Sequence, residues 1–169
     1  MRVTPSRFVF VLTAVVFGLA LGHDAAGLPE TMATHFDAAG GANGTMAARS
    51  YLAFYGFLGL GMSLFLIGAC YAIRLFPATS LTVPNEEYWH RPENHARACR
   101  FLLEHSFWIA SLNLLWLLLL HREIVAANRL PVPFLSPERL TPLGWLYGGG
   151  MVVWIGMIGW YFGRVRERD

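Results

Sequence analysis

The chain has 169 residues, a length that fits one domain; 55% of the residues are apolar and only 14% are charged. Ordinary soluble domains carry about 25% charged residues, so this composition excludes a protein whose whole surface faces water. The net charge is only +2 and the arginines stand at the ends of apolar runs, which argues against a nucleic-acid binder because no dense basic stripe is present.

Four apolar segments are predicted to cross a membrane. A helix needs about 20 mostly apolar residues to span a hydrocarbon core of about 30 Å. Lipid offers no partner to an unpaired backbone amide, so the spans must be helical. We therefore expect an all-α integral membrane protein in which residues 1–169 form a single membrane domain, a four-helix transmembrane bundle. The predicted spans are residues 8–22, 51–76, 101–120 and 143–163.

The first segment allows a second interpretation, a cleaved signal peptide. Arg2 and Arg7 form a basic start, the apolar stretch is short, and Ala20-Leu21-Gly22 has the small-x-small pattern of a cleavage site. Cleavage would leave three spans. We favour a retained anchor, and N-terminal sequencing of the purified protein separates the two.

The loop after the first span, residues 28–44, has the content of an ordered structure. The pair Asn43-Gly44 is a strong turn signal. The alternating residues Thr34–Asp37 permit a short extended segment. We expect an ordered outer loop in which Met32 or Phe36 packs onto the bilayer or the helix ends.

The loop between the second and third spans, residues 83–94, mixes prolines, aromatic residues and charges. Tyr88 and Trp89 have apolar bodies and polar tips, which suits the membrane interface. We expect this loop to pack against the helix ends. The third helix is predicted to begin near Pro92 with Glu93 in its first turn, where an acidic residue meets the positive end of the helix dipole.

Ionisable residues mark the start of the third span. Glu104 and His105 lie at the predicted membrane edge, and such residues within a span are functional candidates by default. Glu104 also follows Arg100 by four residues. The alternative is an ion pair between these two residues on one helix face, which we favour.

The arginine distribution predicts that both termini lie in the cytoplasm. With that orientation the inner segments carry nine arginines and the outer segments carry four, and short arginine-rich loops stay inside. The inner set is Arg2, Arg7, Arg74, Arg91, Arg97, Arg100, Arg164, Arg166 and Arg168, and the outer set is Arg49, Arg122, Arg129 and Arg139.

The two loops together carry a resemblance to a known family, over about residues 28–93. At the family's spacing they contain Leu28-Pro29, His35-Phe36-Asp37, Gly40, Gly44, Pro84-Asn85, Tyr88-Trp89 and Pro92-Glu93. The chain resembles the DUF1648 family of bacterial membrane proteins, which implies a multi-pass fold in the cytoplasmic (inner) membrane. One departure is Ala33, where the family often has Pro.

The resemblance extends more distantly to SdpI-type immunity proteins, which protect a bacterium from a secreted toxin and relay its presence. Those chains usually contain a further helical region, which is not expected in a chain of this length. Immunity is therefore only weakly implied.

Candidate ligand- or partner-binding residues come from the two loops and the third span. They are His35, Phe36, Asp37, Tyr88, Trp89, Glu93 and Glu104. His35 and Asp37, at i and i+2, would share one side of an extended strand. Two donors are too few for a closed structural zinc site, which takes four. We favour a His35 that hydrogen-bonds to the backbone near the glycines.

No metal, cofactor or catalytic residue is predicted. Glu93 and His95 do not share a helix face, because positions i and i+2 diverge by about 200°. With His90 they do not form the zinc-protease pattern. The chain shows no phosphate loop, dinucleotide fingerprint, nucleophile elbow or haem-attachment motif. Cys70 and Cys99 do not indicate a disulfide framework and are expected to be inert thiols.

We expect a non-enzymatic membrane protein that binds a protein, peptide or ligand at the outer loop, with toxin immunity or signal relay as versions of that function. The alternative is a small transporter or an accessory subunit of a larger membrane complex. The lipid bilayer is an expected partner. Gly18-x-x-x-Gly22 and Gly159-x-x-x-Gly163 allow close helix contact and fit a compact bundle or a homo-oligomer equally.

Overall fold

Four long helices dominate the computed structural model, which describes residues 4–164. They are α1 (Pro5–Ala25), α2 (Ala48–Leu75), α4 (Pro92–Ala127) and α5 (Pro137–Gly163). Each is long and apolar enough to cross a membrane, so the prediction of a mostly helical chain with four candidate spans is confirmed. Arg2, Arg166 and Arg168, three of the nine arginines assigned to the inner side, lie outside the described residues.

Proline sets the start of three of these helices. Pro5, Pro92 and Pro137 each occupy the first turn of α1, α4 and α5. Proline is tolerated there because the amide it lacks would have no partner inside the helix. The predicted start of the third helix at Pro92 is confirmed.

The connections carry the smaller elements. Strands β1 (Thr31–Phe36) and β2 (Ala42–Ala47) form an antiparallel hairpin between α1 and α2. A 3-10 turn (Ala78–Ser80) and the one-turn helix α3 (Glu86–Trp89) lie between α2 and α4. The prediction of an all-α fold is thus incomplete. The predicted extended segment forms β1, which pairs with β2, a strand that was not predicted from the sequence.

Helix α4 is the centre of the bundle. It packs against α1, α2 and α5. In its most apolar 18-residue stretch 44% of the residues are buried, whereas none are buried in that of α5. The buried polar residues of α4 are Asn94, Ser106, Ser111 and His121, and most of the α5 surface faces outward.

A single π-helical turn, Phe57–Gly61, interrupts α2 where it crosses α1. Phe17 of α1 is fully buried at this crossing. A Cβ placed on Gly59 would lie 2.6 Å from the Phe17 ring and 3.3 Å from Leu114 of α4. The absence of a side chain at Gly59 is what lets the three helices meet.

The loop before α4 closes the end of α5, as predicted. The Trp89 indole N–H donates to the carbonyl of Phe162 at 3.2 Å, and the Asn85 side-chain amide donates to the same oxygen at 3.0 Å. The last carbonyls of a helix have no partner within it, so these donors complete α5. Trp89 is buried and stacks on Tyr161.

The glycines of the patterns Gly18-x-x-x-Gly22 and Gly159-x-x-x-Gly163 do not mediate helix contacts within the described chain. A Cβ added at Gly18, Gly22, Gly159 or Gly163 would meet no atom within 4 Å. Close glycine contacts inside the bundle occur instead at Gly59 and at Gly150 of α5, where an added Cβ would lie 2.8 Å from the Leu112 side chain of α4.

Gly59→Ala tests this crossing, and Gly56→Ala one turn earlier is its matched control. We expect Gly59→Ala to lower the free energy of unfolding by about 1–3 kcal/mol, because its methyl group overpacks a buried contact. Gly56 has open space around its Cβ position, so Gly56→Ala should be neutral or stabilise by up to about 1 kcal/mol through helix propensity. Unfolding followed by circular dichroism in mild detergent measures both, and equal effects of the two variants would contradict the assignment.

Candidate functional site

The hairpin β1–β2 lies over the ends of α1 and α4. Its register pairs Thr31 with Ala47 and Met32 with Met46, and the pairing becomes irregular after Ala33. Met32 is fully buried, which confirms the prediction that this residue or Phe36 packs onto the helix ends. The apolar side of the hairpin is thereby fixed to the bundle.

Asn128, just after α4, clamps β1 to the helix end. Its side-chain oxygen accepts from the amide of Ala33 at 2.7 Å, and its side-chain nitrogen donates to the carbonyl of Ala33 at 2.9 Å. The same nitrogen donates to the carbonyl of Ile124 at 2.9 Å. One amide side chain thus pairs with both backbone groups of a strand residue and with the last turn of α4.

The hairpin tip is closed by Asp37, which occupies the role expected for His35. The Asp37 carboxylate accepts from the backbone amides of Ala39 and Gly41, each at 2.9 Å. His35 is exposed, and its Nδ1 lies 3.2 Å from the hydroxyl of Thr34. A carboxylate next to a glycine-rich turn is the stronger local acceptor for free amides, which explains the exchange of roles.

The loop between α4 and α5 docks on this tip. Leu135 donates its amide to the carbonyl of Gly40 at 2.9 Å, and Gly41 forms an isolated bridge with Phe134. Gly40 has φ = +94°, and a Cβ there would lie 2.5 Å from the carbonyl oxygen of Leu135. Only glycine fits this position, both for its backbone angle and for the close approach.

A groove of about 680 Å³ opens between the hairpin and the ends of α4 and α5. Its floor is apolar, formed by Leu120, Ile124, Leu135 and Leu140. Its wall contains three of the residues that the sequence singled out, His35, Phe36 and Asp37. An apolar floor with a few polar groups at the rim is the usual composition of a ligand site.

The remaining predicted residues lie at the other end of the bundle. Trp89 is buried and holds the end of α5, Tyr88 stacks edge-on against it, and Glu93 is in the first turn of α4. The seven predicted residues therefore belong to two separate places, and only the outer-loop three share a groove.

Glu104 pairs with α1 and not with Arg100. Its carboxylate accepts from the Arg7 guanidinium at 2.8 Å and from the Thr4 hydroxyl at 2.7 Å, and Ser6 donates to the same carboxylate. The expected ion pair between Glu104 and Arg100 does not form, because three donors at the start of α1 bind the Glu104 carboxylate instead.

The histidines of the inner loop have local partners. His90 Nε2 lies 3.1 Å from the carbonyl oxygen of Leu81, and His95 Nε2 lies 3.6 Å from the sulfur of Cys99. Within residues 4–164 no three His, Cys, Asp or Glu side chains are grouped so that they could hold a metal ion.

A buried polar network that was not predicted from the sequence joins the ends of α1, α2 and α4 that lie next to the hairpin. Asp24 at the end of α1 and His121 near the end of α4 have side chains that are 1% and 0% exposed. His121 Nε2 lies 3.2 Å from the Asp24 carboxylate, and the Tyr51 hydroxyl of α2 lies 2.8 Å from His121 Nδ1. Three helices therefore meet in one chain of hydrogen bonds.

The chemistry of the partners shows which atoms donate in this series of hydrogen bonds. A carboxylate only accepts, so His121 Nε2 must carry the proton given to Asp24. In a neutral imidazole Nδ1 is then the acceptor, and the Tyr51 hydroxyl donates to it. The Tyr55 hydroxyl is buried beside these rings with no hydrogen-bond partner among residues 4–164.

The charge of Asp24 is balanced from the edge of the bundle. The Arg122 guanidinium reaches the carboxylate at 3.2 Å while its side chain stays 53% exposed, and His23 Nδ1 approaches at 3.1 Å from a side chain that is 80% exposed. Removing water from a carboxylate is costly unless it is paired and hydrogen-bonded, as it is here. The network thus locks α1, α2 and α4 under the groove.

The chain matches no family model, no curated protein and no solved structure with which it was compared. The resemblance to DUF1648 proteins rests on the loop motifs alone. The function must be inferred from the geometry of the site.

Asp24→Ala, Tyr51→Phe and Arg122→Gln should rank in that order of damage. Asp24→Ala leaves the buried His121 N–H without its acceptor and should cost about 3–5 kcal/mol of unfolding free energy. Tyr51→Phe deletes one hydrogen bond, worth about 1 kcal/mol. Arg122 is half exposed, so Arg122→Gln should cost less than about 1 kcal/mol. Denaturation in mild detergent gives the ranking, and an Asp24→Ala protein as stable as the unmodified chain would refute the role of the network.

Proposed function

We propose that all four long helices cross the cytoplasmic membrane of a bacterium, with both termini inside and the hairpin outside. The proposal is supported by the length and hydropathy of the helices and by the excess of arginines in the segments that the sequence assigns to the inner side. The hairpin and the loop between α4 and α5 then form the outer face.

A cysteine placed on the hairpin reports its side of the membrane. Asn43 is exposed, and Asn43→Cys in a chain whose own cysteines are replaced by serine should react with a membrane-impermeant maleimide on intact spheroplasts. Glu87→Cys in the inner loop is the control, which should react only after permeabilisation. If position 87 reacts on intact spheroplasts and position 43 reacts only after permeabilisation, the orientation is the opposite of the one proposed.

We further propose that the protein is a non-enzymatic binding protein whose outer groove takes an amphipathic peptide segment. The observation that carries this proposal is the groove itself, in which His35, Phe36 and Asp37 border an apolar floor. Its volume of about 680 Å³ lies within the range of sites that bury a ligand, about 300–1,000 Å³.

The surroundings of the groove favour a peptide over a small polar molecule. Leu130, Val132 and Phe134 are exposed on the adjoining loop, so the apolar surface continues beyond the floor. The Asp37 carboxylate at the rim favours a cationic or hydrogen-bond-donating group on the ligand. A bulky apolar side chain next to a basic residue matches both features.

Toxin immunity or signal relay are the versions of this function that the DUF1648-like motifs support. Binding of a secreted peptide at the outer groove would be the first step of either. The network of Asp24, Tyr51 and His121 beneath the floor ties the bound region to three helices, which suits a relay.

An accessory role in a larger membrane complex is the second candidate. Helix α5 favours it, because none of the residues in its most apolar stretch are buried, and Trp145 and Val152 are at least 70% exposed. In that role another subunit covers α5, and the groove is not needed for the contact.

Photo-crosslinking separates the two candidates. Thr141, at the groove, and Val153, on the outward face of α5, are each replaced by p-benzoylphenylalanine in the native membrane. If the groove binds a peptide, the Thr141 probe gives a peptide adduct that decreases at least tenfold in Leu140→Glu and Phe36→Ala, a loss of about 1.4 kcal/mol or more. A protein adduct at Val153 that is insensitive to these variants supports the accessory role.

Two further variants serve as controls for the groove. Asp37→Asn keeps an oxygen that accepts from Ala39 and Gly41 but loses the charge, so it should weaken binding without unfolding the tip. Arg139→Gln changes an exposed neighbour of Leu140 that does not line the groove and should leave the adduct unchanged. Lipid adducts alone at position 141 would end the binding proposal.

A further inference from the structure

A second cavity lies at the opposite end of the bundle, between the end of α2 and the first turns of α4. It has a volume of about 310 Å³ and is about half enclosed. Cys70, Tyr71 and Arg74 line it from α2, and His95, Cys99 and Arg100 line it from α4. Nothing in the outer groove involves these residues, so the cavity is a separate feature.

The lining of this cavity is basic. Two arginines and a histidine border it, and no acidic side chain is among its lining residues. Of the two acids of α4 near these residues, Glu104 already receives Arg7 and two hydroxyls, and Glu93 in the first turn is not among the lining residues. Within residues 4–164 neither Arg74 nor Arg100 forms an ion pair. A cavity of this charge is suited to an anion.

One of the two arginines is held in place by an aromatic ring. The Arg74 guanidinium carbon lies 3.5 Å from the centre of the Tyr71 ring, and the guanidinium also donates to the Tyr71 hydroxyl. The planar guanidinium group of an arginine matches the oxygens of a phosphate.

The surroundings of the cavity indicate that the anion is attached to a lipid. Leu75 and Phe76, directly after Arg74, are 74% and 59% exposed, which offers apolar surface next to the charge. Both arginines stand near helix ends that reach the membrane surface if the helices span the bilayer. Basic pockets between helices at this depth bind lipid head groups.

We propose that this cavity binds the phosphate of an anionic phospholipid, with Arg74 and Arg100 as the phosphate ligands and His95 as an additional donor. The acyl chains lie along Leu75 and Phe76. The proposal rests on the membrane insertion proposed above but not on the outer groove, which lies at the other end of the molecule.

Native mass spectrometry of the full chain released from nanodiscs tests the proposal. The nanodiscs contain phosphatidylcholine with a minor fraction of phosphatidylglycerol. We expect one retained phosphatidylglycerol per protein. Its affinity should fall about tenfold in Arg74→Gln and in Arg100→Gln, because losing a hydrogen bond to a charged group lowers an affinity by about tenfold or more. Arg74→Lys and Arg100→Lys should keep part of the affinity because they keep the charge.

The controls distinguish the cavity from general basic surface and the lipid from a free anion. Arg164→Gln, at the same end but stacked on Trp160, should leave binding unchanged. Inorganic phosphate and glycerol phosphate added to the detergent-solubilised protein should bind much more weakly than phosphatidylglycerol. Equal binding of free phosphate, equal retention of phosphatidylcholine, or unchanged lipid retention in the two glutamine variants would each overturn the proposal. Loss of the Thr141 crosslink would count only against the outer groove.

Discussion

Asp24 carries a negative charge on a side chain that is only 1% exposed, and the surrounding side chains are arranged to neutralise it. His121 donates to it from the central helix, Arg122 reaches it from the edge, and Tyr51 extends the chain of hydrogen bonds into α2. A buried charge is tolerated only when its partners are fixed in place. The relative positions of α1, α2 and α4 are therefore set at this point, and the hairpin is built upon them.

The groove depends on that arrangement because its parts come from distant segments of the chain. The floor is supplied by the last turns of α4, by Leu135 and by the first turn of α5, and the wall is supplied by β1 and the hairpin tip. Asn128 and Gly40 join these parts, the first by pairing with Ala33 and the second by admitting Leu135 to the hairpin tip. The result is a concave surface whose polar groups stand at its edge.

Apolar length made the four helices predictable, and the turn signals made the ordered outer loop predictable, because both are local properties of the chain. The partners of Glu104 were not, since Arg100 is the nearer base in sequence whereas Arg7 is the nearer base in space. The network was missed although a signal existed. Successive long helices connected in this way run in opposite directions, so Asp24, Tyr51 and His121, each close to an end of a predicted span, lie at the same level. His35, Phe36 and Asp37 were predicted together because they are adjacent in the chain, although β1 ends at Phe36 and Asp37 lies in the turn that follows.

The π-helical turn in α2 has an effect at both ends of the bundle. Such a turn contains one extra residue, and each residue of a helix advances the side chains by about 100°. The turn Phe57–Gly61 lies between Tyr51 and Arg74, so it sets the angle around the helix axis between these two side chains. Straightening this turn into a regular helix would rotate the part of α2 that carries Arg74 relative to the part that carries Tyr51. Tyr51 could then reach His121, or Arg74 could line the basic cavity, but not both.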